Sequence, residues 1–438
     1  MEDLEPEEED VLFVSSKAET LCPICGQNFP PNVLEAHASE CGESKAAFIS
    51  SASQLQEMSI SSLDDVLQAI SAAVNKAEEF PLTVSRSNLV ERGLTQWKHQ
   101  KKASPTSLLK IRFIGEAGLD TGALRKEFLT EMISGIEQKL FEGDQIGKCP
   151  KYSMLDLDQA NFRSAGEIWA ASLAQSGPPP CCLKLWCYKY LCDGEIQIQH
   201  ISKQDVSDAQ YTSLISHVES ASEDTLFELV EEILSCGYTG PIHVEKKEEI
   251  IRAVVLHAIL RLLPLFCQLR EGLALYGVAD LMRQYPDVCQ VLFVPGLEVK
   301  ADADSVFAMC RPMFSDKGSI KEQMEVTLMN HLQDFLQSME ACDHLEAGPD
   351  CLSPSKVLQW LTGQGHIPVL PEERLNFQVC VEFIHNCDIQ YGTHTVCYPT
   401  VAACSNTIRL PVKYMQTYAE FVAIMSEAFH LGQAFHQV

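Results

Sequence analysis

The sequence predicts an α+β protein of more than one unit: a larger, mostly helical part, a smaller α/β part after it, and a small metal-dependent module in front. Three observations predict this. The chain has 438 residues, more than one ordinary core accommodates. From residue 81 onward, short β-rich runs such as "LLKIRFI" alternate with long helical patterns such as "RAVVLHAILRLLPLFCQLREGLALYGVADLMRQY". Near 315–321, "SDKGSIK" interrupts the pattern, and beyond about 352 strand-like pieces such as "LNFQVCVEFI" precede a final helix, "TYAEFVAIMSEAFHLG".

Composition narrows the class. An apolar content of 46% and a charged content of 21% are those of a folded protein. Sixty acidic against thirty-three basic residues give a formal charge of -27, a field that repels a phosphate backbone, so direct nucleic-acid binding is not expected. The acidic start "MEDLEPEEED" lacks the basic, then apolar, pattern of a secretory signal, so the 18 cysteines are expected to be reduced, in cytoplasm or nucleus. The apolar stretch from Ala253 is interrupted by His257, Arg261 and Pro264 and reads as a buried helix, with no membrane partner expected.

Residues 1–20 form an acidic tail that cannot bury a core. Within it, Val11, Leu12, Phe13 and Val14 follow four acidic residues and resemble a SUMO-interacting motif, a short peptide that adds a strand to a sheet edge. Residues 21–42 contain Cys22, Cys25, His37 and Cys41 in C-x2-C-x11-H-x3-C spacing. Two ligands on a tight turn and two one helical turn apart can close a tetrahedron around a structural Zn2+, which a segment with so little core needs to fold. The stretch resembles ubiquitin-binding zinc fingers, which implies a ubiquitin reader; Ser39 stands where that family commonly has an aspartate.

Residues 43–61 are rich in Ser, Ala and Gln and read as a linker. A helix is expected over 62–80, capped by Ser62, with Leu63, Val66, Leu67, Ile70, Ala73, Val74 and Ala77 on one apolar stripe.

In "LLKIRFIGEAGLDTGALRKEFL" a strand ends in a glycine turn and passes into a helix; Glu116 and Asp120 argue against phosphate binding there. This stretch resembles the opening of the HECT-type ubiquitin ligase domain, with Phe113, Gly115, Glu116, Gly118, Asp120, Gly122, Arg125, Glu127 and Phe128 in place and Ala123 replacing a glycine. Further matches follow the family's order: "TVSR" at 83–86, "QLREGL" at 268–273, "LQWLTGQGHIP" at 358–368 and "CSNTIRLP" at 404–411. Within the family the chain looks most like the G2/M-phase-specific E3 ubiquitin ligases.

The resemblance implies a bilobal HECT domain with its N-lobe over 81–314, a hinge at 315–321 and its C-lobe over 322–438. It also implies a catalytic cysteine at Cys404, since the family's proline lies seven residues after that cysteine, where Pro411 stands, and Asn406, Ile408 and Leu410 hold the intervening register. Cys397, in "HTVC" with His394 and Thr395, mimics the family's His-Thr-Cys but has the wrong distance to Leu-Pro. Phe435 occupies the family's phenylalanine position fourth from the end. Ala402, Ala403 and Ser405 depart from the family's His, Thr and Phe. The implied partners are ubiquitin, a ubiquitin-conjugating enzyme and protein substrates; the alternative is a ligase-derived adaptor with a weakened thiol site that binds ubiquitin or SUMO.

Overall fold

The computed structural model describes residues 20–21, 28–29, 60–116, 120, 122–296, 301–343, 352–392 and 394–435. It mixes helices with small sheets, an α+β protein, and divides into two units, Met1–Ser61 and Ser62–Val438. In the first, β1 (Thr20–Leu21) pairs antiparallel with β2 (Asn28–Phe29). The SUMO-type residues Val11 to Val14 and the four expected zinc ligands, Cys22, Cys25, His37 and Cys41, lie outside the described residues.

The second unit opens with α1 (Leu63–Ala72), started by a capping box in which the Asp65 backbone N–H donates to Ser62 Oγ (3.2 Å) and the Ser62 N–H to Asp65 Oδ2 (2.9 Å). The expected helix over 62–80 is too long. After Ala72 the chain turns into β3 (Asn75–Val84), whose Phe80, Leu82 and Val84 alternate inward while Ala77 is exposed. The apolar period changes from three-to-four to two at this point, and the second period wins because it pairs β3 in parallel with β4 (Ser107–Phe113). Helix α2 (Leu89–His99) makes the crossover, with Trp97 edge-on to Phe80 at 5.0 Å.

Helix α3 (Ala123–Leu140) follows the β4 turn, and the short hairpin of β5 (Phe141–Asp144) and β6 (Gly147–Pro150) follows α3. Helix α4 (Asn161–Ala174) is buried along nearly its whole length. The apolar stretch from Ala253 is split between α5 (Lys247–Leu260) and α6 (Leu263–Leu273), with Pro264 tolerated in the first turn of α6. By length and composition this segment could also cross a membrane; here Val254, Val255, Leu265, Phe266 and Leu269 are packed inside. Residues between Ile201 and Ile259 gather a separate small core around Leu226, Val218, Ile233 and Ile250.

The C-terminal core corrects the expected boundary at 315–321. Helix α7 (Ala303–Met309) and β7 (Cys310–Pro312), both ahead of the break, share one apolar cluster with α8 (Ile320–Asp343), α9 (Pro354–Thr362) and α10 (Tyr418–Phe435). "SDKGSIK" is thus a turn inside this core. Gly318, at φ +83, and a hydrogen bond from Ser319 N–H to the Asp316 carbonyl (3.0 Å) make the turn, so its loop-like composition is genuine but local. The core's sheet has the order β7, β8 (Val379–Ile384), β10 (Thr407–Pro411), β9 (Thr400–Ala402), with β9 antiparallel to β10 and the other neighbours parallel.

Candidate functional site

Strand β10 reads as a half-buried strand should: Ile408 and Leu410 are in the core and Arg409 faces out to Glu382 at 2.6 Å. Between β9 and β10 the chain makes one 3-10 turn, Ala403–Ser405, and reverses through Asn406 at φ 48, ψ 48. Asparagine is among the few residues that accept this left-handed conformation readily. The Asn406 carbonyl accepts from the Cys380 N–H (2.8 Å) and Ser405 Oγ donates to the Ala402 carbonyl (3.2 Å), fixing the turn to the sheet. Cys404 sits at its apex with an exposed thiol, and among the described residues its sulfur has no hydrogen-bond partner.

Cys397 is the opposite kind of cysteine. It is buried, and desolvation together with neighbouring Cys387 pushes its thiol up to about 11. Of the two cysteines, only Cys404 is exposed. Phe435 is the last residue of α10, and its side chain lies outside the described part of the structure.

Cys404 opens onto a cleft of about 540 Å³ that is also lined by Arg86, Glu116, Glu127, Gln359, Trp360 and Phe429. Arg86 forms ion pairs with Glu116 (2.5 Å) and Glu127, and its guanidinium lies 4.0 Å from the Phe113 ring centroid. Burial works against the charge on Arg86, but the two carboxylates more than offset it and hold its pKa above the usual range. Asp120 accepts from the Ile111 (2.9 Å) and Gly122 (2.8 Å) N–H groups, tying the end of β4 to the start of α3. Gly122, at φ +126, makes the bend. The acidic residues of the glycine turn are therefore occupied by protein partners, as a structural turn requires.

Sequence reasoning placed Arg86 in one motif, "TVSR", and Glu116 and Glu127 in another, "LLKIRFIGEAGLDTGALRKEFL". It did not anticipate that they form one cluster or that the cluster shares a cleft with the Cys404 turn. The signal was the recurrence of unpaired charges in "TVSR" and "GEAGLDTGALRKEF", 30 and 41 residues apart. Helix α9, from "LQWLTGQGHIP", closes the cleft: Gln359 Nε2 donates to Glu131 of α3 (2.7 Å), and Trp360 packs edge-on to Phe429 of α10 at 5.9 Å.

A second group went unnoticed as ligands in the sequence. Cys387, His394 and Cys397 bring two thiols and one imidazole nitrogen within 4.8 Å of one another. They are distinct from the four N-terminal zinc candidates.

No family profile matches the chain. The chain is similar to E3 ubiquitin-protein ligases. A G2/M phase-specific E3 ubiquitin-protein ligase of Macaca fascicularis is 22% identical over 354 residues, which cover 78% of this chain and 45% of that protein. The protein of the same name from Homo sapiens is 21% identical over the same length. A probable E3 ubiquitin-protein ligase HECTD2 of Mus musculus is 31% identical over 112 residues, 24% of this chain and 14% of that protein. The aligned part thus spans less than half the length of these relatives, 45% at most.

Proposed function

We propose that this chain is a HECT-type E3 ubiquitin-protein ligase that carries ubiquitin as a thioester on Cys404. The observation that carries the reading is the exposed thiol at the apex of the β9–β10 turn, in the register that puts Pro411 seven residues on. The similarity to proteins named E3 ubiquitin-protein ligases supports the same class.

The chemistry asks little beyond an accessible thiolate and positioning, because exchanging one thioester for another is nearly balanced in free energy. The Cys404 thiolate attacks the carbonyl carbon of the ubiquitin C-terminus on the conjugating enzyme; a new S–C bond forms and the conjugating enzyme's thiolate leaves. A substrate lysine amine then attacks the same carbon, an amide forms, the Cys404 thiolate leaves and the amine proton passes to solvent. No hydrolase-type triad is needed, which fits a thiol without a hydrogen-bonded histidine among the described residues.

In this reading the second lobe already includes Ala301 and Ala303, which pack on the C-terminal core. The separate core over 201–259 is the subdomain that receives the conjugating enzyme, with exposed Phe227 (78%) as an apolar contact. Cys22, Cys25, His37 and Cys41 hold a structural zinc in a finger that reads ubiquitin, Val11 to Val14 add a strand to SUMO, Phe435 assists transfer, and the protein works in cytoplasm or nucleus.

One observation favours a second reading, a ubiquitin-binding adaptor. Ala402, Ala403 and Ser405 remove a histidine, a hydroxyl and an aromatic ring from beside the sulfur. Discharge assays with a panel of ubiquitin-charged conjugating enzymes separate the two. A ligase accelerates discharge, and Cys404→Ala abolishes the acceleration while Cys397→Ala retains it; an adaptor leaves discharge unchanged with every enzyme.

A further inference from the structure

We propose that Cys387, His394 and Cys397 form a zinc site that anchors the base of the hairpin bearing Cys404. Two thiols and an imidazole are the donor set Zn2+ prefers. The three donor atoms already lie within 4.8 Å of one another. Metal bonds of about 2.3 Å to sulfur and about 2.0 Å to nitrogen put tetrahedral ligands roughly 3.5 Å apart, so closure needs a movement on the order of 1 Å.

The histidine is prepared for this role. Its Nδ1 lies 2.6 Å from the Gly392 carbonyl, so the proton sits on Nδ1 and the lone pair on Nε2. Nε2 is buried and, among the described residues, has no hydrogen-bond partner, which a buried polar atom does not tolerate without a reason. A backbone carbonyl on one ring nitrogen, with the other left bare, is the arrangement that orients a metal-binding imidazole. Cys387 is fully buried and Cys397 nearly so, and neither is in a disulfide.

Among the described residues no fourth donor joins the group. Asp388, 3.8 Å from His394 Nδ1, is held by Lys413 Nζ at 2.5 Å. The described residues thus supply three protein ligands and leave a fourth position for solvent.

Its place in the fold gives it a task. The three ligands precede β9, and the turn after β10 reaches back to them: Tyr414 donates its hydroxyl to the His394 carbonyl (2.6 Å) and Lys413 pairs with Asp388. Both ends of the hairpin that presents Cys404 converge on this cluster, so a metal here would fix the hairpin's base without touching the thiol at its tip.

The test uses the full chain carrying Cys22→Ser and Cys25→Ser, which removes half of the expected N-terminal ligands. After loading with Zn2+ under reducing conditions and desalting, native mass spectrometry should find one zinc per chain. Cobalt(II) in its place should give a thiolate-to-metal charge-transfer band. Adding Cys387→Ser and Cys397→Ser should abolish both signals, and Zn2+ should slow amide exchange across residues 387–411. No zinc and no band in the first protein would overturn the proposal, as would a disulfide between Cys387 and Cys397 in freshly reduced and desalted protein. The first result holds whether or not the second variant folds, because the first protein keeps residues 62–438 intact. Metal retained after loss of both cysteines would also overturn it, and exchange rates indifferent to zinc would remove the anchoring role.

Discussion

Ser315 donates both its backbone N–H (2.7 Å, to Oε2) and its hydroxyl (2.5 Å, to Oε1) to the carboxylate of Glu325, which is 1% exposed and whose Oε1 also lies 2.6 Å from His385 Nε2. This contact sits at the start of the segment whose composition suggested a hinge, and it fastens that segment to α8 and to the end of β8.

Glu325→Ala removes the acceptor that satisfies these donors inside the core. The expected cost is about 2 kcal/mol or more, since stranded buried donors lose their full solvation. Urea unfolding should show a lower midpoint; an unchanged midpoint would mean that the segment is free to move.

Gly166 of α4 and Gly272 of α6 let two helices touch through their backbones. A Cβ at Gly272 would lie 2.1 Å from the Arg163 carbonyl oxygen, and one at Gly166 would lie 2.3 Å from that of Leu269. Gly272→Ala should destabilise by roughly 1–3 kcal/mol despite alanine's better helix propensity. Gly135→Ala should cost less, because the obstruction there is the Val90 side chain. Thermal unfolding of both variants checks the order, and equal losses would contradict it.

Asn406 sets the direction of the Cys404 turn. Asn406→Gly should fold normally, whereas Asn406→Val should cost about 1–3 kcal/mol, because a β-branched residue resists positive φ. If adduct formation at Cys404 depends on the turn, it should fall with Val and survive with Gly.

Burial beside Lys126 holds the His366 imidazole down to about 3, so it stays neutral in the folded protein, while in the unfolded chain it takes up a proton near 6.5. Between those values the unfolded state binds more protons. Stability from this residue is therefore complete above about pH 6.5 and is lost as pH falls toward 3, with a slope of at most about 1.4 kcal/mol per pH unit. His366→Gln should flatten the pH dependence of unfolding in that window; an identical slope would show that His366 protonates in the fold.

The family resemblance set Cys404, Asn406, Ile408 and Leu410 in one register, but the strand β10 and the left-handed turn at Asn406 that present the thiol came only with the structure. Helix α1 was legible at its start, where Ser62 and Asp65 cap it, and misread at its end, because Ala73, Val74 and Ala77 continue a helical spacing that says nothing of the partner strand β4. The core boundary was misread because Gly318 marks a turn whether the turn joins two cores or lies within one. The Arg86 cluster and the Cys387, His394, Cys397 group depend on residues brought together by tertiary packing, which no local spacing encodes.

The central claim is that Cys404 carries ubiquitin, and a serine at that position tests it most directly. With activating enzyme, a productive conjugating enzyme and ubiquitin, the wild-type chain should form an adduct that thiols dissolve. Cys404→Ser should form one that thiols leave intact and that mild base cleaves, because an oxygen ester replaces the thioester. Peptide mapping should place that ester on residue 404. A thiol-sensitive adduct that persists in Cys404→Ser, or one that maps to Cys397, would contradict the account.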